Sequence, residues 1–171
     1  EGVAYDSLSQ TFYIVKEKDP MAFYTFNRPD HDNDTTISVQ IPFDAENEFS
    51  GIMADLSSIS FDYRTNRVLI VSDESQKIID AEPSNGLILG QMNLSGMNQA
   101  EGICFINHNY DLLIVGEPNY YTIYSNIRLF GDINFDGQIN YSDIVVIIDY
   151  LFGNITLDDL QIVNSDLNYN H

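Results

Sequence analysis

The chain has 171 residues, of which 26 are Asp or Glu and only 7 are Lys or Arg, and its formal net charge is -19. Such an acidic surface repels phosphate groups, so the composition argues against nucleic acid as a partner. No apolar run approaches the roughly 18 residues that span a bilayer, and we expect no membrane insertion. A single cysteine, Cys104, excludes an intramolecular disulfide framework.

Residues 1–127 contain a pattern that occurs three times: a short strand, a polar turn, and a second strand. The second strand carries an isoleucine at the same offset in each unit, at Ile14, Ile70 and Ile114. Residues 77–94 alternate apolar and polar side chains around a turn at 83–86, which adds two strands to the middle unit. Repeats that each form a small antiparallel sheet are typical of β-propeller blades. We therefore predict an incomplete propeller of two to three four-stranded antiparallel blades, with the three isoleucines buried at equivalent places.

Several short segments of this region resemble one protein family. They are Glu1-Gly-Val-Ala-Tyr-Asp6, Lys16-Glu-Lys-Asp-Pro20, Ser72-Asp-Glu-Ser75, Gln99-Ala-Glu-Gly-Ile103 and Gly116-Glu-Pro-Asn119. Over about residues 1–125 the chain resembles the SdiA-regulated family of bacterial β-propellers. The resemblance implies a secreted or envelope-associated propeller, with a more distant likeness to esterase-like phytase propellers.

Acidic residues recur at equivalent positions of the repeat. Those after the second strands are Glu17, Asp73 and Glu117, and those that start the first strands are Glu1 and Glu101. Equivalent positions of a propeller form a ring, so these carboxylates are candidates to hold a hard cation or a cationic ligand at the channel mouth. The alternative is that they are solvated strand ends, or that they accept backbone N–H bonds at turns.

The sequence identifies no catalytic residue. A nucleophilic triad needs a histidine beside a Ser or Cys, but His31 and His108 lie in predicted loops and His171 is the last residue. Cys104 lies within an apolar strand, and we predict that it is a buried core thiol. Enzymatic activity is therefore left open, and the residues favour a binding protein.

Residues 132–143 have the spacing of a calcium-binding loop. Oxygen ligands fall at loop positions 1, 3, 5, 7, 9 and 12, which are Asp132, Asn134, Asp136, Gln138 through its carbonyl, Asn140 and Asp143. Gly137 at position 6 allows the sharp turn of the backbone. Apolar residues at helical spacing from Ile144 to Leu151 predict a helix that stops at Gly153. We therefore predict Ca²⁺ as the cofactor of this loop.

The start of the same pattern returns with Asp166, Asn168 and Asn170 at positions 1, 3 and 5. A duplicated loop plus helix of this kind resembles a type I dockerin, here a module at 131–171 with one full repeat at 131–153 and the start of a second at 166–171. In that family, loop positions 10 and 11 recognise the partner, and these are Tyr141 and Ser142. The resemblance implies a cohesin-type domain as partner of the whole protein, an extracellular or cell-surface location, and a role in polysaccharide catabolism.

Together these features predict a mainly β protein with a small α module, in which a calcium-dependent module tethers a secreted propeller. The alternative is a propeller hydrolase of the esterase or phytase type, in which a carboxylate-bound metal activates water. A third possibility is that the propeller is a structural spacer.

Overall fold

The computed structural model of the protein describes residues 1–30, 36–94, 96–97, 99–106, 111–124, 131, 133–134, 140–157, 161 and 165. Most of this part of the chain forms three antiparallel sheets. The first blade contains β1 (Gly2–Asp6), β2 (Thr11–Lys16) and β3 (Ala22–Asn27); the middle blade contains β4 (Ser58–Asp62), β5 (Arg67–Ser72), β6 (Lys77–Ala81) and β7 (Ile88–Asn93); the third blade contains β8 (Ala100–Phe105), β9 (Leu112–Gly116) and β10 (Tyr120–Tyr124). Helix α1 (Ala45–Phe49) follows the first blade, and helix α2 (Tyr141–Leu151) follows the third.

The three hairpins of the repeat have the same register, as predicted. Ile14 is paired with Val3, Ile70 with Ile59, and Ile114 with Ile103. The register places each isoleucine on the same side of its own sheet. The repeat is therefore structural and does not reflect composition alone.

The prediction of four strands in every blade is confirmed only for the middle blade. In the first blade, the described residues beyond β3 contribute a single bridge, in which Thr25 and Gln40 exchange two backbone hydrogen bonds of 3.0 and 2.8 Å. Pro29 has no N–H and so cannot donate to a ladder just after β3. The third blade has three strands among the described residues, since 125–130 lie outside them.

The blades pack face to face, with one apolar cluster on each side of the middle blade. The first cluster joins the first and middle blades and includes Val15, Phe23 and Ile70. The second joins the middle and third blades and includes Val71 and Ile114. Ile70 and Ile114 are fully buried, as predicted. Ile14 is only half-buried, because no blade lies on its side of the first blade in the described part of the chain.

A glycine lets the first two blades approach closely. A Cβ atom on Gly2 would lie 2.7 Å from the backbone nitrogen of Ile59 and 2.8 Å from Cα of Ser58. No real side chain tolerates such contacts with backbone atoms. Strand β1 therefore lies directly against the backbone of β4, which explains the glycine at the start of this unit.

The short helix α1 was not predicted from the sequence. Asp44 caps it by accepting a hydrogen bond from the Asn47 nitrogen at 3.2 Å, and Ala45 and Phe49 are buried. Phe49 joins the cluster between the first and middle blades. A helix of five residues is too short to show the apolar periodicity on which helix prediction depends.

Helix α2 confirms the helix predicted before Gly153, but it begins at Tyr141 rather than Ile144. The cause is a capping box: the Asn140 side chain accepts from the Ser142 nitrogen at 2.7 Å, and the Asp143 carboxylate accepts from the Asn140 nitrogen at 2.8 Å. Gly153 adopts a positive φ of 73°, which suits the end of a helix. Neither α1 nor α2 is long and apolar enough to cross a membrane.

Candidate functional site

The acidic residues of the repeat lie at equivalent ends of the three sheets, as the register predicts. Glu17, Asp73 and Glu117 each come directly after the second strand of their blade, β2, β5 or β9. Glu1 precedes β1, and Glu101 is the second residue of β8. These five residues are called the blade-end carboxylates below.

Glu101 occupies an irregular position in its strand. Its neighbours Ala100 and Gly102 pair with Gly116 and Val115, so Glu101 has no partner of its own across the ladder. A bulge of this kind turns a side chain away from the regular alternation, and bulges are frequent beside functional sites. Glu101 is exposed at the end of the third blade.

The middle blade has a serine where the others have glutamate. Ser57 is buried; its hydroxyl donates a hydrogen bond to the carbonyl of Ala100 at 2.7 Å and lies 3.2 Å from the carbonyl of Val71. It therefore holds the third blade against the middle one and adds no charge to this end of the sheets.

The pKa of Glu101 depends on acids of the other blades as well as its own. The pKa of Glu101 is raised first by partial burial, and then by the negative charges of Asp73, Glu117 and Glu17. Like charges raise the pKa of a carboxyl only when they lie near it. Glu101 therefore interacts electrostatically with the acids that follow the second strands of the three blades.

A lysine partly neutralises this end of the sheets. The Lys18 ammonium lies 2.6 Å from Glu74 and 3.2 Å from Glu17, and these two acids raise its pKa, with Glu74 contributing more. Lys18 lies between β2 and β3 of the first blade, and Glu74 lies between β5 and β6 of the middle blade. The pairing therefore links the ends of two blades, and it was not predicted from the sequence.

Asp55 positions the turn that carries Asp73, and sequence reasoning missed it. Its buried carboxylate accepts hydrogen bonds from the Ser72 hydroxyl, from the Asp73 nitrogen at 3.3 Å and from the Glu74 nitrogen at 3.0 Å. The signal in the sequence that could have identified Asp55 is its position between the apolar residues Met53 and Leu56. A charge in such surroundings usually has polar partners.

The blade-end carboxylates do not by themselves enclose a metal ion. In the part of the chain that the structure describes, no three Asp, Glu, His or Cys side chains lie close enough together to bind one ion. Carboxylate oxygens are the donors that hard cations prefer. A cation at this end would therefore need ligands in addition to those that the described residues bring together.

Only part of the predicted calcium loop lies within the described residues. Asn134, Asn140 and Asp143 are described. The other predicted ligands, Asp132, Asp136, Gln138, Asp166, Asn168 and Asn170, lie outside them, as do the three histidines. The coordination predicted for the loop therefore stays a prediction.

Asp143 connects the two ends of this loop. It is only 2% exposed, and its Oδ1 accepts from the nitrogens of Ile133 at 2.8 Å and Asn134 at 3.3 Å. Its Oδ2 accepts from the Asn140 nitrogen at 2.8 Å. The Asn140 bond is the main cause that lowers the pKa of Asp143. The carboxylate at position 12 thus accepts hydrogen bonds from backbone near both ends of the predicted loop.

The predicted recognition residues are accessible. Tyr141 and Ser142 form the exposed first turn of α2, with Tyr141 74% exposed. Beneath them, an apolar pocket between the loop and the helix is lined by Ile133, Ile144 and Ile147.

The prediction that Cys104 is a core thiol is wrong. Cys104 is exposed, because its neighbour Ile103 points into the cluster between the middle and third blades. Alternation along β8 then turns Cys104 to the opposite side of the sheet.

The sheets and their stacking define the class of protein: a β-propeller-like arrangement of antiparallel blades. The chain belongs to the SdiA-regulated family, whose model matches residues 1–125. That match confirms the family predicted from the short segments.

Solved structures share this fold at low sequence identity. A luciferin-regenerating enzyme is 13% identical with a TM-score of 0.54, over 68% of this chain and 36% of that chain. A gluconolactonase from Xanthomonas campestris is 16% identical with a TM-score of 0.53, over 73% of this chain and 37% of that chain. Regucalcin from Agrobacterium tumefaciens, a calcium-binding protein, is 12% identical with a TM-score of 0.54, over 70% of this chain and 38% of that chain. The chain thus spans little more than a third of the length of these structures.

Proposed function

We propose that this protein binds a divalent cation, Ca²⁺ in the first instance, at the blade-end carboxylates. The observation that carries the proposal is the placement of the carboxylates: Glu17, Asp73 and Glu117 follow the second strands of their blades, and Glu101 lies on a bulge at the same end of the third blade. Mutual repulsion among carboxylates is relieved when a cation lies between them. Further ligands would come from other blades or from water.

The names of the structural neighbours agree with such a site. One is a calcium-binding protein and another is a gluconolactonase. A carboxylate-bound cation polarises a carbonyl and lowers the pKa of bound water, which is the chemistry that hydrolysis of a small ester or lactone requires. We therefore propose hydrolysis of such a substrate as the activity of the complete propeller.

Calcium titration of the whole chain by calorimetry tests the cation site. The titration is made on an Asp132→Ala background, so that the loop site does not contribute. Glu101→Gln should weaken binding roughly tenfold, because the affinity of a calcium site depends on its ligand charge. Glu48→Gln, an exposed acid on α1, removes the same charge and should change nothing.

Lys18→Met provides a second, opposite test. Lys18 lies 3.2 Å from Glu17 and competes with a cation for that carboxylate. Removing it should tighten calcium binding several-fold, roughly as expected when one opposing charge is removed nearby. Equal affinities in the parent, the Glu101 variant and the Lys18 variant would rule out this site.

A second candidate function is tethering through the calcium loop and α2, as in a type I dockerin. The observation that favours it is the buried Asp143 carboxylate, which accepts hydrogen bonds from the backbone of Ile133 and Asn140, near the two ends of the predicted loop. Tyr141 and Ser142 lie exposed at the start of the helix, where a cohesin-type partner would make contact.

Asp143→Asn tests the loop site, with Asp149→Asn on the same helix as its control. The first variant should weaken calcium binding at least about tenfold, because it removes a charged ligand, and the second should leave binding unchanged. Asp132→Ala should cause a similar loss of calcium affinity. Asp30→Ala should cause none, because the acidic segment that starts at Asp30 lacks the glycine at position 6 and the acid at position 12 of a calcium loop. Unchanged binding in the Asp143 and Asp132 variants would end the dockerin interpretation.

A further inference from the structure

Residues 55–57, between α1 and β4, contact all three blades at the end that carries the blade-end carboxylates. Asp55, Leu56 and Ser57 are 2%, 0% and 4% exposed. Buried polar groups need partners inside the protein, and those of this segment find them in three different blades. We call residues 55–57 the hub segment.

The hub segment bonds to the backbone of Glu17 in the first blade. The Leu56 nitrogen donates to the Glu17 carbonyl at 2.9 Å. The Leu56 side chain is fully buried in the apolar cluster between the first and middle blades. Apolar packing and a hydrogen bond thus act together on the backbone from which the Glu17 side chain projects.

In the middle blade, Asp55 holds the turn that carries Asp73. Its Oδ2 accepts from the Asp73 nitrogen at 3.3 Å, and its Oδ1 accepts from the Glu74 nitrogen at 3.0 Å and from the Ser72 hydroxyl. Both carboxylate oxygens are therefore engaged with this turn, and the side chain is almost inaccessible to solvent. Asp55 thus orients the backbone of Asp73 and leaves the contact with a cation to Asp73.

In the third blade, Ser57 bonds to the residue before Glu101. Its hydroxyl donates to the Ala100 carbonyl at 2.7 Å. Glu101 lies between Ala100 and Gly102 at the bulge of β8, where the direction of a side chain depends on the local backbone rather than on regular alternation. The hydrogen bond fixes the peptide group that joins Ala100 to Glu101, because the Ala100 carbonyl belongs to that group.

We propose that the hub segment positions Glu17, Asp73 and Glu101 relative to one another, and that it thereby sets the cation affinity of the blade-end carboxylates. The inference rests on the proposed function, since it concerns the same cation site. Among the described residues no strand ladder joins one blade to the next, so the sheets alone do not fix the distances between acids of different blades. Groups that orient a metal ligand commonly change the affinity about 10- to 100-fold without touching the ion.

Ser57→Ala tests the contact with the third blade without changing the charge. It removes the hydroxyl that holds the Ala100 carbonyl, and it should weaken calcium binding about tenfold. Ser60→Ala, at a buried serine of β4, is the matched control and should leave the affinity unchanged. Calorimetry is made on the whole chain in the Asp132→Ala background, so that the loop site does not contribute.

A double-mutant cycle separates positioning from a general disturbance of the fold. If Ser57 acts through Glu101, Ser57→Ala should lower the affinity only while Glu101 is present, and it should have no further effect in a Glu101→Gln protein. A general disturbance would lower the affinity in both backgrounds.

Asp55→Asn tests the contact with the middle blade in the same way. It should weaken calcium binding about tenfold, and this loss should disappear in an Asp73→Asn background, whereas an effect of net charge alone would persist there. Asp6→Asn is the matched control and should leave calcium binding unchanged. Asp6 is buried at the opposite end of the first blade, and it also accepts from one serine hydroxyl and two backbone nitrogens.

Titration of the carboxyl groups by NMR, without calcium, gives a measurement that does not depend on ion binding. In the parent, burial and then the neighbouring acids raise the pKa of Glu101. Ser57→Ala should lower this pKa towards its ordinary value, because the released carboxylate can move away from Asp73. Ser60→Ala should not change it.

The outcomes separate this inference from the proposed function. If Glu101→Gln weakens calcium binding but Ser57→Ala and Asp55→Asn do not, the cation site is supported and the positioning role is overturned. Losses that persist in the Glu101→Gln and Asp73→Asn backgrounds also overturn it. If the parent binds no calcium, the proposed function fails, and an unchanged pKa of Glu101 in Ser57→Ala then overturns the positioning role as well. Urea midpoints show that each variant is folded.

Discussion

The middle blade and its two neighbours follow the same sequence pattern, but they differ in burial. Every residue of β5 is buried, and Ile70 and Val71 are both inaccessible to solvent. In the first blade Ile14 is half-buried, and in the third blade Val115 is 42% exposed. The second strand of each blade nevertheless carries a run of four apolar residues, at 12–15, 68–71 and 112–115. Burial is therefore determined by the sheet that lies on each face, and not by the strand itself.

The largest expected effect is the difference between the same substitution in two blades. Ile70→Ala should destabilise the protein by about 3 to 4 kcal/mol, because it leaves a cavity between two packed sheets. Ile14→Ala should lower the free energy of unfolding by less than about 1.5 kcal/mol, because the Ile14 side chain is already partly exposed to water. Urea unfolding at low protein concentration measures both. Equal losses would mean that the face of the first blade that carries Ile14 is covered as completely as the matching face of the middle blade.

A smaller effect is expected at Asp55, a feature of the middle blade alone. At the corresponding place the third blade has Gln99, which accepts from the Glu117 nitrogen through its backbone carbonyl at 3.1 Å. Asp55→Asn should cost about 2 kcal/mol, because the amide cannot accept all the hydrogen bonds that the buried carboxylate accepts. Asp73→Asn changes a neighbouring acid that is only half-buried, and it should lower the free energy of unfolding by less than about 0.5 kcal/mol. Similar urea midpoints for the two variants would contradict this role.

The smallest expected effect appears only at high pH, and it distinguishes the two faces of the first blade. Tyr13 is 8% exposed on the covered face, 5.3 Å from the Phe61 ring. Burial, and then the charge of Asp6, raise its pKa above the ordinary value of 10.0. Because the folded state holds this proton more tightly than the unfolded state, stability is complete below about pH 10 and falls as the pH rises above it.

Tyr13→Phe should flatten this decline in urea midpoints measured between about pH 8 and 11. Tyr24→Phe, on the open face of the same sheet, removes one tyrosine as well but should retain the decline. If both variants lost stability as steeply as the wild type, the ionisation of Tyr13 would not contribute.

The sequence by itself determined the local features of this protein. The spacing of the repeat predicted three hairpins with a common register, because strand alternation and turn residues act over a few positions. The same register selected Glu17, Asp73 and Glu117 at one equivalent position and Glu1 and Glu101 at another, and the charges of the first three help to raise the pKa of Glu101. The helical spacing before Gly153 predicted α2, and the family could be identified from short segments.

The tertiary structure alone decided which faces are covered and which side chains meet. Alternation placed Cys104 and Ile103 on opposite sides of β8, but only the position of the middle blade shows that Ile103 is inside. The buried role of Asp55, and the contact of Lys18 with Glu74 across 56 residues, likewise depend on how blades stack. The alternation of residues along a strand shows that the strand has two different faces. What lies against each face is set by residues far away in the chain, which no local pattern records.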